Sequence, residues 1–417
     1  MRGGAAPAEP EPRRRLVEGA TARAAVTAVQ GGAFAAGSVI AGSVLLGLIV
    51  SFLISGYGAW TWVKVGLLTA VLGLRADAAA TFRGPPLLRA ADAAAFRWRI
   101  VPMLVTIGFL VLEARAGRRS AEERPGGRVA PTVAIAATAA AIPAAALAAL
   151  ASIPVFLSFP GLGVRLHVDI GTAAISAALL AAAGAAVGAF LRSARGRPSA
   201  AILRGGLVGY GWALVLILAA TAVVAALEPG ATRAYAGFLG DRGSAGALIF
   251  VGHLLALPAQ SALLLAPATG SCLRVAADAP GLSLCPWELS TAGPAAALIG
   301  SIRLTPWLWI MDAAAPVAAS FAGRAAARET GGTRPVVVGA AAGVLFGMVA
   351  AGAALVVAPT VVGDLPLLAS TDLSIRPDLL PMAFGGVGWG IAGGALGGWL
   401  ERRRYGVRPV SARRTSA

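Results

Sequence analysis

The sequence predicts an all-α integral membrane protein built from two tandem repeats in one orientation, each with about five hydrophobic segments and short extracytoplasmic strands. Three observations lead there. Over 417 residues, 57% are hydrophobic and only 13% charged, with a mean hydropathy of +0.77. That is more apolar surface than one or two water-soluble cores can hide, so the solvent is lipid. The net charge of +16 comes almost wholly from arginine, because Lys64 is the only lysine in the sequence. The arginines gather at the ends of apolar stretches and at the termini, the positive-inside pattern, which favours membrane orientation over nucleic-acid binding. Finally, an apolar stretch that stops at a cationic edge occurs twice, as Gly184–Leu191 running into Arg192 and as Gly393–Leu400 running into Glu401 and Arg402-Arg403-Arg404.

Upstream of both copies the echoes keep their order at an offset near 205 residues: Pro102 with Pro306, Ala116-Gly117-Arg118 with Ala322-Gly323-Arg324, and Gly126-Gly127 with Gly331-Gly332. An ordered series of this kind marks internal duplication. The resulting division is a disordered cytoplasmic tail at 1–24, a first membrane repeat at 25–196, a second at 197–404 and a basic cytoplasmic tail at 405–417. The N-terminal run Arg13-Arg14-Arg15 sits among Pro and Glu with no cleavage-site pattern behind it, so it reads as a tail and not as a signal peptide.

In chain order the apolar stretches are 26–55, 57–74, 100–116, 129–156 and 170–191, then 204–227, 244–268, 305–321, 335–359 and 379–400. Arginine-rich joints run from Arg115 to Arg128, Arg192 to Arg204, Arg324 to Arg334 and Arg402 to Arg414, and all four are expected to face the cytoplasm. Three apolar stretches then separate two cytoplasmic points in each half, which an even number of crossings does not allow. The second stretch of each half is therefore expected not to cross. Stretch 57–74 is short and opens with the boundary residues Trp60 and Trp62, and 244–268 contains Pro258, which removes a backbone donor and favours a broken, re-entrant segment. Ten full spans, with one joint facing against its charge, is the alternative. On the opposite side, 96–100, 164–169, 301–304 and 373–376 alternate polar and apolar residues and lead into helices, which predicts short strands.

Ionisable residues within apolar stretches are expensive in hydrocarbon, and three stand out: Lys64, His253 and Asp312. A proton or cation relay through Asp312 and His253 is the sharper reading. The plainer one has Asp312 bonding a neighbouring helix, His253 lining a wet turn and Lys64 reaching for the boundary. Gly386, Gly390, Gly394 and Gly398 lie four apart, as do Gly339, Gly343 and Gly347. These small-residue stripes suit close packing of the last two helices on each other, or a dimer face. Gly388 to Gly393 matches GxGxxG, but inside a span it is a decoy. Cys272 and Cys285 bracket a loop whose closure by a disulfide fits an extracytoplasmic position, with a chain-entropy gain of about 3 kcal/mol. HExxH, GxSxG and Walker A patterns are absent and there are two histidines, so neither an enzyme nor a bound metal or cofactor is expected.

The order of Trp60-Thr61-Trp62-Val63-Lys64-Val65-Gly66, the step from Pro102 to Ala114-Arg115-Ala116-Gly117-Arg118-Arg119, and Leu255-Ala256-Leu257-Pro258 resembles the polytopic membrane proteins of actinobacteria related to PerM. The resemblance implies a non-enzymatic inner-membrane protein that supports cell division or envelope integrity through protein partners. Residue chemistry adds the lipid bilayer as a partner, leaves an oligomer open, and points away from nucleic acid. Duplicated halves with broken segments are also a transporter design, so a small-solute or ion transporter is the alternative function.

Overall fold

The computed structural model describes residues 11–53, 58–82, 94–99, 101–159, 164–227, 229–241, 244–276, 282–284, 309–330, 334–365 and 368–406. Its first half contains α1 (Glu11–Leu53), α2 (Ala59–Gly73), β1 (Ala78–Phe82), β2 (Ala94–Arg99), α3 (Met103–Glu122), α4 (Val129–Ser152), β3 (Phe156–Phe159), β4 (Val164–Val168) and α5 (Ile170–Ser193). The second contains α6 (Pro198–Leu227), α7 (Pro229–Gly240), α8 (Ser244–Ala268), β5 (Leu273–Ala276), β6 (Leu282–Leu284), α9 (Trp309–Asp312), α10 (Ala314–Glu329), α11 (Pro335–Val357), β7 (Thr360–Leu365), β8 (Leu368–Pro377) and α12 (Leu379–Gly406). Apart from α7 and the split between α9 and α10, the two halves list the same elements in the same order.

Among the described residues, seven helices are long and apolar enough to cross a membrane: α1, α4, α5, α6, α8, α11 and α12. Their packing is that of a lipid-solvated bundle. The buried positions are mostly alanine, whereas many large apolar side chains, such as Ile142 (69% exposed), Leu179 (67%) and Phe384 (75%), point outward. In lipid no hydrophobic gain draws helices together, so small residues that let backbones meet do that work instead.

The far ends of these helices converge. Ser120 Oγ, near the end of α3, donates to the Ala24 carbonyl of α1 at 2.8 Å. Arg23 pairs with Glu123 at 3.7 Å and Arg192 with Glu122 at 3.2 Å, while Arg204 at the start of α6 pairs with Glu329 at the end of α10 at 3.6 Å. The arginine joints of both halves thus gather at one end of the bundle. α3 carries Glu113, Arg115, Arg118, Arg119 and Glu122, which excludes it from the seven on composition. It nevertheless runs from the strand-bearing end to the arginine end, about 30 Å for its 20 residues.

At the other end lies one eight-stranded antiparallel sheet of order β3-β4-β1-β2-β7-β8-β5-β6. The halves meet where β2 pairs with β7, from Ala95 opposite Asp364 to Arg99 opposite Thr360. Each half contributes its second hairpin and then its first, so the order continues head to tail. Of the strands expected, 96–100, 164–169 and 373–376 fall largely on β2, β4 and β8, and 301–304 lies outside the described residues. Beneath the first four strands, Ala78, Val155, Leu157, Leu166 and Val168 pack with Leu67 and Val71 of α2.

One expectation fails. Stretch 244–268 is the unbroken helix α8, with Pro258 and Pro267 inside it, where a break at Pro258 is expected from the sequence. Proline fixes φ at a helical value, and in a bilayer a helix tolerates the lost donor when neighbours and side chains re-satisfy the freed groups. Its first-half counterpart α2 is a 15-residue helix, too short to be counted with the seven. At the N-terminus α1 starts at Glu11, within the stretch read as a tail, and Arg23 is held by its pair with Glu123.

Candidate functional site

The helix seams are built alike in the two halves. A Cβ added to Gly184 would fall 2.7 Å from Glu113 Cβ, and one added to Gly393 would fall 2.8 Å from Ala319 Cβ. Gly117 lies against the Ala185 carbonyl and Gly323 against that of Gly394; Gly188 lies against the Ala114 carbonyl and Gly397 against that of Ser320. Every pair relates α3 to α10 and α5 to α12 by fixed shifts in the chain. The strand junctions match as well. Asp169 N donates to the Asp77 carbonyl at 3.1 Å, and Asp378 N to the Cys272 carbonyl at 2.8 Å. The turn closing α2 has Arg75 at φ 67°, the turn closing α8 has Gly270 at φ 81°, and both use the same backbone bonds, Ala76 N to Val71 O and Ser271 N to Ala266 O. A left-handed residue after the last helical turn is the usual way to cap free carbonyls; glycine adopts it without the Cβ penalty that arginine bears.

The two glycine stripes singled out in the sequence face each other across the α11–α12 seam. Gly343 meets the Gly390 carbonyl, Gly339 meets Gly394 and Gly398, and a Cβ on Gly386 would lie 3.2 Å from Gly347 Cα. Gly388 to Gly393 lies within α12.

The polar candidates have separate surroundings. Lys64 Nζ donates to the Phe156 carbonyl of β3 at 2.9 Å, which ties α2 to the outermost strand of the first half. His253 Nδ1 lies 3.4 Å from Gln260 Nε2 one helical face along α8, and its ring tilts against Tyr235 of α7 with centroids 5.7 Å apart. Asp312 ends the short helix α9 and is half-buried. Cys272 is disulfide-bonded, and the sequence holds one other cysteine, Cys285, which lies outside the described residues. Among the described residues no group of three or more His, Cys, Asp or Glu side chains is arranged to hold a metal ion.

Two carboxylates that the sequence did not single out are the most deeply buried ionisable groups among the described residues. Glu401, 4% exposed, accepts from Arg328 Nε at 2.9 Å and lies 3.6 Å from Arg324 Nε. Glu113, at 0%, has neither oxygen hydrogen-bonded. Both sit within a turn or two of an arginine joint, so in a linear reading they merge with the joint's charge. The distinguishing signal for Glu113 is its spacing: Gly117 follows four residues later on the same helix face, which places the carboxyl on the packed side.

Outward apolar faces, alanine-filled interiors and seven span-length helices make this a multi-pass α-helical membrane protein. No protein-family model, no curated protein and no solved structure matches the chain.

Proposed function

We propose that the protein is a non-enzymatic scaffold of the bacterial inner membrane, made of two parallel copies of one ancestral unit, that engages other envelope proteins through its sheet. The N- and C-termini and the arginine joints face the cytoplasm, by the positive-inside rule, and the sheet faces outward. The observation that carries this reading is the continuous sheet, which welds the strand-bearing ends of both halves through β2 and β7. Alternating-access transport asks two halves to rock against each other around a central site; a shared antiparallel ladder resists that motion. Lys64 and His253 engage unrelated partners, which also weighs against a common wet pathway. The resemblance to PerM-related proteins supplies cell division as the process supported.

Photo-crosslinking from the sheet in living bacteria tests the proposal, with envelope proteins expected as the products trapped. Reconstituted vesicles test the transporter alternative: no proton or solute flux is expected for the wild type or for Asp312→Ala. A flux that Asp312→Ala abolishes would overturn the scaffold reading.

A further inference from the structure

Glu113 lies in the middle of α3 with no solvent exposure and no hydrogen-bond partner for either carboxyl oxygen. Among the described residues, the elements around it offer no countercharge. α1 beyond Arg23, all of α4 and α5 before Arg192 contain no ionisable side chain. Lys64 of α2 is bonded to the Phe156 carbonyl, and α8 meets α3 around Met103 and Ile107, with His253 turned to Gln260 and Tyr235. On α3 itself Arg115, Arg118 and Arg119 are exposed, while Glu122 and Glu123 pair with Arg192 and Arg23 at the far end. A bare carboxylate enclosed this way costs several kcal/mol in lost hydration, whereas a neutral acid costs far less.

The second half shows that packing does not require the carboxyl. The equivalent position is Ala319, whose Cβ faces Gly393 as Glu113 Cβ faces Gly184. Glu113 is thus an acid inserted into a seam that a methyl group fills equally well.

We propose that Glu113 is a proton-binding site inside the membrane bundle, occupied at neutral pH, and that it makes the α3–α5 seam of the first half, but not the α10–α12 seam of the second, sensitive to pH. The neutral acid is compatible with the closed glycine contacts at Gly117, Gly184 and Gly188. Loss of the proton leaves a charge with no partner, and the seam must open to hydrate it.

The test uses the full chain in lipid nanodiscs as wild type, Glu113→Gln and Glu113→Ala. Infrared spectra at pH 7 should show a buried protonated-carboxyl band that both variants lose. Melting temperature should fall between pH 7 and pH 9.5 in the wild type by more than in either variant. Every ionisable group other than Glu113 is present in all three proteins, so its contribution cancels in the comparison. Should Glu113→Ala fail to fold, Glu113→Gln, which keeps the shape of the neutral acid, carries the result alone. Absence of the band in the wild type, or an equal fall in all the folded proteins, overturns the proposal.

Discussion

The seam between α3 and α5 and the seam between α10 and α12 have the same backbone geometry but opposite chemistry. At the arginine end the first half pairs Glu122 of α3 with Arg192 of α5, and the second pairs Arg328 of α10 with Glu401 of α12. Acid and base have changed places between equivalent helices. About two and a half turns deeper, Glu113 stands where the other half has Ala319. What persists is the glycine contact with the facing backbone, and what varies is the charge beside it. Close approach in lipid leaves one solution at each contact point, a residue without a side chain, whereas an ion pair works equally well with its signs reversed.

That contrast can be broken or sharpened by substitution, starting with the glycines. Gly188→Leu and Gly397→Leu should each abolish monodisperse protein on size-exclusion chromatography, because the obstacle is the carbonyl of Ala114 or Ser320 and not a movable side chain. The loss should exceed the ~1–3 kcal/mol of ordinary overpacking. If one half tolerates the change, the two seams are not equivalent. Next comes the disulfide, which has no first-half counterpart because Asp77 occupies the position matching Cys272. Cys272→Ser should cost about 2–4 kcal/mol in thermal unfolding, and wild type under reductant should match it.

The ion pairs should differ in weight. Glu401 is 6% exposed in its side chain, with Arg324 and Arg328 around it, so Glu401→Ala should cost about 1.5–3 kcal/mol. Arg192 and Glu122 are 36% and 42% exposed, so Arg192→Ala should cost less than about 1 kcal/mol. Equal costs would mean that burial does not set the strength of these pairs.

Much of this architecture is legible in the primary structure because lipid imposes simple rules. Arginine-rich joints mark one end of most bundle helices, and glycines four apart mark a seam. The rest was hidden for identifiable reasons. β1 reads Ala78-Ala79-Ala80-Thr81-Phe82, which has no alternation to signal a strand, although it sits between β4 and β2 inside the sheet. Pro258 signals a break in isolation, yet surrounding helices hold α8 continuous. Glu113 is camouflaged by Arg115, Arg118 and Arg119, since only the three-dimensional arrangement separates the face that meets Gly184 from the face that meets the surroundings.

The central claim, that the two halves stand parallel with the sheet and the arginine joints on opposite sides of one membrane, is tested most directly by labelling single introduced cysteines with a membrane-impermeant maleimide in intact and permeabilised cells. The exposed positions His167 and Arg376 report the sheet side, and Arg119 and Arg402 the joint side. His167→Cys and Arg376→Cys should label in intact cells, and Arg119→Cys and Arg402→Cys only after permeabilisation. Labelling of Arg119→Cys and Arg402→Cys from opposite sides would contradict that arrangement.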